Sequence, residues 1–360
     1  MRHSVMRRRG LTVLIGAILV SVMTWQALSM RVAYVGLGPG PTYDALAEYT
    51  FKDDDGKKKT VELISADEKY SSKSKGQLRL VTVRIHDDIE LARALYYWLS
   101  DDYAVVPREL QFPEDKSDEE IAAEQEEMWE NSQAAAETAA LRELGEEVEV
   151  TVTKVDSDSP SKGDLKRDDV ITAVDGEEVT SQERLAELLA AAAAKAPGEA
   201  VKLTVDRDGK DKKVKVTPEE NSQGVAILPG VDVEPKQKDP YGLKVTAEGL
   251  NVGGPSAGLI FALAMVDRVS KEDLTGGADI IGTGEIDEDG NVGAIGGIAQ
   301  KVVAASQQGA KVFLTPADNC AAAKANVPDG LKLIKVSTLD GALKELETLR
   351  EGGEPTTCLT

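Results

Sequence analysis

The chain has 360 residues, enough for two or three domains that each bury a core. Its 63 acidic and 42 basic residues give a net charge of -21, which denies it the basic face that binding nucleic acid requires. Two cysteines (Cys320, Cys358) and two histidines (His3, His86) show no metal-type spacing, so no metal and no other cofactor is expected. The cysteines are free to pair or to stay reduced.

MRHSVMRRRG (1–10) carries four arginines and is followed by 11–30, twenty residues without a charge. At about 1.5 Å per residue that stretch reaches roughly 30 Å, the thickness of a bilayer core. It predicts a transmembrane anchor, with the basic tail 1–10 cytoplasmic and everything after Arg31 outside the cytoplasmic membrane. A cleaved signal peptide is the alternative. The apolar run is long for one, and Ala-Leu-Ser at 27–29 is a weak cleavage site.

Residues 31–145 form an N-terminal extracytoplasmic region. VGLGPGPTYDAL (35–46) reads as turns from its Gly and Pro residues, and KDDDGKKKT (52–60) as a charged hairpin or loop. QLRLVTVRI (77–85) alternates as a strand, and DIELARALYYWL (88–99) has helical spacing. Residues 114–145 predict one long helix, with a break near Asn131 as an alternative and a capping box at Ser117 and Glu120.

From Glu146 the period changes to two. VEVTVTKV (148–155), VITAVDGEEV (170–179), the helical SQERLAELLAAAAAKA (181–196), VKLTVDRDG (201–209) and KKVKVTP (212–218) follow in order. This block, 146–218, resembles a bacterial PDZ domain, and SPSKGDLKRDDVITAVDGEEV (159–179) carries the resemblance. The usual Gly-Asp before the apolar strand stands here as Asp168-Asp169, and no Gly-Leu-Gly-Phe-type loop for a peptide carboxylate is present. A small α+β spacer is the alternative. A linker with Pro and Lys residues follows at 229–240.

In the C-terminal region, GGPSAG (253–258) precedes an apolar helix, Leu259 to Val269. Pro255 favours the first turn of a helix, which places Ser256 near a helix N-terminus. Unpaired N–H groups there suit a helix cap and also an oxyanion, and Gly254, Ala257 and Gly258 leave room for a substrate backbone. IIGTGEIDEDGNVGAIGG (280–297) is a glycine-rich strand–turn–strand, and IAQKVVAASQQGA (298–310) opens a helix. On that helix Lys301 shares a face with Ile298 and Ala305. Either it snorkels to solvent, or burial drives its amine toward neutrality and makes it a general base. A Ser–Lys pair stands in for Ser–His, and His86 is too remote in sequence to serve. Ser72/Lys75 and Ser159/Lys162 repeat the residue types, but in polar loops.

GGPSAG and TGEIDEDGNVGAIGGIAQK (283–301), at this spacing from serine to lysine, resemble the proteolytic domain of Lon-type serine peptidases. The domain is placed at 229–350, with 351–360 as a tail. The resemblance implies Ser256 as nucleophile, Lys301 as general base and Thr283 as the residue orienting the lysine. The family's acidic residue three positions before the serine is replaced by Gly253. No Gly-x-x-x-x-Gly-Lys-[Ser/Thr] loop for nucleotide phosphates is present. The anchor, GPGPTYD (38–44), MWENSQAAAETAAL (128–141) and the two domains together resemble the membrane-anchored PDZ–Lon-like proteins of Gram-positive bacteria. The expected whole is an α+β multidomain protein. It is an ATP-independent serine endopeptidase acting on protein or peptide substrates outside the cytoplasm, and the family's ring-forming habit leaves a homo-oligomer open. The alternative is a catalytically silent, membrane-tethered PDZ scaffold. A dinucleotide site at Gly282-Thr283-Gly284 is disfavoured, because no helix follows it.

Overall fold

Four apolar segments, Gln77–His86, Asp279–Gly282, Val312–Pro316 and Lys332–Val336, form the parallel part of a six-stranded sheet. The structure is a computed structural model and describes every residue except 1, 53–55, 221–224, 249, 251 and 359–360. Side chains are described from Val13 onward, other than that of Glu220. Its α-helices are α1 (Arg2–Leu28), α2 (Leu91–Leu99), α3 (Asp118–Glu143), α4 (Gln182–Lys195), α5 (Gly258–Val269), α6 (Ile298–Gln307), α7 (Cys320–Lys324) and α8 (Leu339–Arg350). The chain divides into two compact units, residues 1–139 with 243–360, and residues 140–242.

In the first unit the parallel strands continue into two antiparallel ones, Tyr34–Asp44 beside Gln77–His86 and then Ala104–Pro107. Strands buried on both faces lose the polar alternation, as in VFLTP (312–316), where every residue is buried. The turn expected at 35–46 is therefore a strand. Gly36 and Gly38 are needed there because a Cβ at either would run into the ring of Tyr97 or Tyr103, and those rings stack at 4.3 Å between centroids. Proline falls where the register shifts, between Pro39 and Thr42.

Residues 31–139 thus share a sheet and core with the C-terminal region instead of forming a region of their own. Arg268, buried at the end of α5, reinforces the junction by donating to the carbonyls of Ile64 (3.1 Å) and Leu46 (3.0 Å). The hairpin at 52–60 is present as strands Glu48–Lys52 and Lys58–Glu62, and its tip at 53–55 lies outside the described residues. The capping box forms: Glu120 N donates to Ser117 Oγ at 3.2 Å and Ser117 N to Glu120 Oε2 at 2.8 Å. Helix α3 continues past Asn131 without a break.

Helix α1 exposes Val13, Leu14, Leu19, Val20, Met23 and Trp25. Among the described residues no helix is long and apolar enough to cross a membrane. Met1, and the side chains of the basic tail and of Leu11 and Thr12 from the expected anchor, lie outside what is described.

The second unit holds the strands and helix expected at 146–218, with sheet order Asp211–Val216, Val201–Asp206, Val170–Val174, Val148–Val155, Val231–Gln237. Leu185, Leu188 and Leu189 of α4 pack on that sheet with Val150, Ile171 and Leu203. Asp168 takes φ 69°, the left-handed conformation that glycine adopts freely and Asp tolerates. Asp169 is buried and pairs with Arg207 through contacts of 2.6 and 2.7 Å. The expected linker at 229–240 instead contains the edge strand Val231–Gln237, antiparallel to Val148–Val155. Between that strand and α4 runs a groove of about 570 Å³, lined by Leu185, Leu189, Ile227, Val231 and Val233, with Glu183 and Glu234 on its rim.

Cys320 and Cys358 form a disulfide across 38 residues. It holds the C-terminal segment beside Lys332–Val336, where Cys358 N donates to Leu333 O at 3.0 Å. Closing that loop restricts the unfolded chain, so Cys358→Ser should lower unfolding free energy by about 2–4 kcal/mol. Urea denaturation with and without reductant checks this: reductant should weaken the wild type and leave the variant unchanged.

Candidate active site

The turn before α5 is built by its sequence. Gly254 takes φ 79°, Pro255 sets the next φ, and the helix starts only at Gly258 with Ala257 as its N-cap residue. Ser256 is therefore not the cap, and no side chain caps this helix. The following Leu259–Met265 are wholly buried, so α5 is a fixed platform for the turn. The turn's Ser256 carbonyl accepts from Gly284 N at 3.0 Å and from Thr283 Oγ1 at 2.9 Å.

Lys301 lies in the first turns of α6, whose Ile298, Val302 and Ala305 enter a core cluster with Val81, Ile281 and Phe313. Its side chain does not snorkel, for the residue is only 3% exposed. Its Nζ donates to Ser256 Oγ at 2.7 Å and to Thr283 Oγ1 at 3.0 Å. Loss of hydration disfavours the ammonium and lowers its pKa to about 7, while the negative charge of Glu285 pulls weakly the other way. Three residues from separate elements thus meet in one contact chain: Lys301, Ser256 and Thr283.

The remaining candidates separate. His86 packs against the rings of Tyr97 (5.3 Å) and Tyr103 (6.1 Å). Ser72 Oγ donates to Asp267 O (2.6 Å), Ser159 Oγ to Pro229 O (2.7 Å), and Lys162 Nζ to Ser157 O (3.1 Å). Ser159 and Lys162 meet through the main chain, where Lys162 N donates to Ser159 O at 3.1 Å, and not as hydroxyl and amine. Among the described residues no group of three or more His, Cys, Asp or Glu is placed to hold a metal.

Helix α3 also reaches the turn. Gly254 N donates to Gln125 O at 3.4 Å, Trp129 meets Phe261 edge-on at 5.1 Å, and Ser132 Oγ donates to Pro255 O at 3.0 Å. Gln125 Cβ also stands 3.5 Å from where a Cβ at Gly253 would lie. No sequence motif pointed to these contacts. The stripe Gln125, Trp129, Ser132, Ala136 at helical spacing is the signal that could have done so.

Two family models match the chain, a PDZ domain at residues 124–217 and the Lon protease (S16) C-terminal proteolytic domain at residues 235–348. The chain carries a PDZ domain and a serine-type peptidase domain of the Lon kind. Among curated proteins it is similar to a Lon protease of Xanthomonas oryzae pv. oryzae, 35% identical over 117 residues, or 32% of this chain and 14% of that protein. It is also similar to Lon protease 1 of Sorangium cellulosum, 38% identical over 124 residues, or 34% of this chain and 15% of that protein. Lon protease 2 of Bacillus subtilis is 35% identical over 98 residues, 27% of this chain and 17% of that protein. The chain therefore spans less than a fifth of the length of these relatives.

Because Glu285 opposes the desolvation, Glu285→Gln should lower the Lys301 pKa further. An NMR titration of the Lys301 Cε signal should show its midpoint moving to lower pH in the variant.

Proposed function

We propose that this chain is a serine endopeptidase that cleaves protein substrates without nucleotide, outside the cytoplasmic membrane, with Ser256 as nucleophile and Lys301 as general base. The 2.7 Å contact between Lys301 Nζ and Ser256 Oγ, in a site where the lysine is buried, is the observation that carries this reading. A neutral amine has two N–H bonds and one lone pair. Thr283 donates its hydroxyl hydrogen to Ser256 O, so toward Lys301 it acts as acceptor. That contact occupies one N–H of the amine and leaves its lone pair free to accept the Ser256 hydroxyl proton.

Lys301 then takes the Ser256 hydroxyl proton as Oγ bonds to the scissile carbonyl carbon. The carbonyl oxygen becomes an oxyanion held by the N–H groups of Ser256 and Ala257. The lysine returns its proton to the leaving amine, leaving an acyl ester on Ser256. Water, deprotonated by the same amine, attacks that ester and frees the acid.

The groove between α4 and the edge strand Val231–Gln237 supports a role in holding substrate, since an extended peptide can add to an unpaired edge. The extracytoplasmic, anchored reading is supported by the Cys320–Cys358 disulfide, which belongs to an oxidising compartment. The apolar side chains of α1 from Val13 to Trp25, exposed to water as the chain stands, support it too. ATP independence is supported by the lack of a phosphate-binding loop in these 360 residues.

Ser256→Ala should abolish peptidase activity and labelling by a fluorophosphonate, whereas full activity in that variant would sink the mechanism and favour the scaffold. Lys301→Arg keeps the charge but supplies no base and should be nearly as inactive. In the wild type, kcat/KM should rise with pH through about 7 and level off above it, since only the neutral amine accepts the proton. On membrane fractionation the full chain should stay in the pellet after alkaline extraction, and a variant lacking residues 1–30 should appear in the supernatant. Full-length protein in the supernatant would remove the anchor from the reading.

A further inference from the structure

Serine is a weak choice for the middle of a helix, and a buried hydroxyl needs a partner. Ser132 of α3 is 5% exposed, and its partner is the carbonyl of Pro255, 3.0 Å away in the turn that carries Ser256. A peptide group is planar and trans, so its C=O and N–H point in opposite directions. Holding the Pro255 carbonyl toward α3 therefore directs the N–H of Ser256 away from α3. The next peptide group is held the same way, because the Ser256 carbonyl accepts from Thr283 Oγ1 (2.9 Å) and Gly284 N (3.0 Å), which directs the N–H of Ala257. Two consecutive peptide planes are thus pinned by their carbonyls, and their N–H groups are the donors available to an oxyanion.

We propose that Ser132 is a positioning residue of the peptidase, fixing through Pro255 the peptide plane whose N–H, that of Ser256, stabilises the oxyanion. The inference rests on the peptidase reading above. It extends the site to a helix outside residues 235–348, the segment matched by the proteolytic-domain model. The rest of α3 keeps the hydroxyl in register: Trp129 packs edge-on against Phe261 of α5, and Gln125 O accepts from Gly254 N. The space beside Ser132 is closed as well, since a Cβ on Gly258 would lie 2.9 Å from its Oγ.

The role separates from simple packing by what it changes. Ser132 does not touch Lys301 and acts on a group that gains charge only in the transition state. In the purified full chain, Ser132→Ala should therefore lower kcat on a peptide substrate by about tenfold, the order expected for a hydrogen bond made stronger in the transition state. KM should stay within about twofold, and the acidic limb of the pH profile should not move. Inhibition by a peptide aldehyde, whose hemiacetal oxygen occupies the oxyanion position, should weaken by the same factor as kcat. Ser132→Thr, which keeps the hydroxyl, should restore most of the rate. If Ser132→Ala fails to fold, Ser132→Cys, of similar size but a weaker donor, should show an intermediate loss.

An unchanged kcat in a folded Ser132→Ala or Ser132→Cys would overturn the proposal. So would a loss of rate that disappears at a temperature where the variant is fully folded. Wild-type activity in Ser256→Ala would instead remove the peptidase reading itself, so the two failures can be told apart.

Discussion

Everything at the site depends on keeping one amine dry. Moving an ammonium out of water costs several kcal/mol, and a lysine with no buried carboxylate beside it holds its proton less tightly as a result. Lys301 is in that position. Its polar neighbours are two hydroxyls, Ser256 and Thr283, and the one carboxylate that bears on it, Glu285, is exposed. On the proposed mechanism, the apolar packing of Ile298, Val302 and Ala305 against Val81, Ile281 and Phe313 would thus also serve to activate the base. On that reading, core and lysine cannot be varied separately. A polar substitution at Val302, which is wholly buried, would weaken that packing without touching Ser256.

The second constraint is geometric. Thr283 directly follows the strand Asp279–Gly282, so it stands at the carboxyl end of a parallel strand, where open α/β sheets gather their working loops. From there it spans both partners of the pair, accepting from Lys301 and donating to the Ser256 carbonyl. A hydroxyl suits that place because it donates and accepts at once, while a carboxylate would only accept and would raise the lysine's pKa.

The parts legible in the sequence are those whose signal is local. The capping box at Ser117, the strands and helix of 148–216, the apolar run after Ser256 and the apolar face of Lys301 all follow from neighbours in the chain. The parts that were not legible depend on distant residues. Gly36 and Gly38 look like turn residues until Tyr97 and Tyr103 need somewhere to lie. The strand Val231–Gln237 carries Pro235 and three charged side chains, tolerable because it is an edge, and only its pairing with Val148–Val155 identifies it as a strand. Ser132 sits in an Ala-rich stretch with ordinary helical spacing, and nothing within α3 names the Pro255 carbonyl as its partner. The cysteine pair was open for the same reason, since the approach of Cys358 depends on the main-chain bonds of 356–358 to Leu333 and Lys335.

The unit that holds the site is larger than the segment by which it resembles known peptidases. Residues 235–348 contain three strands of the six-stranded sheet, Asp279–Gly282, Val312–Pro316 and Lys332–Val336. The other three come from residues 34–107, and Gln77–His86 pairs directly with Asp279–Gly282. Cut back to the matched segment, Asp279–Gly282 would become an open edge next to Thr283, and Val81 would leave the cluster that α6 packs into. Residues 140–242 enter this unit as an insertion with both ends in it. An insertion of that length is tolerable because loop-closure entropy grows only with the logarithm of length, and because the inserted segment folds on a core of its own. The sequence between the two parts of the peptidase unit can therefore vary in what it binds, while the parts themselves must stay matched residue for residue across that gap.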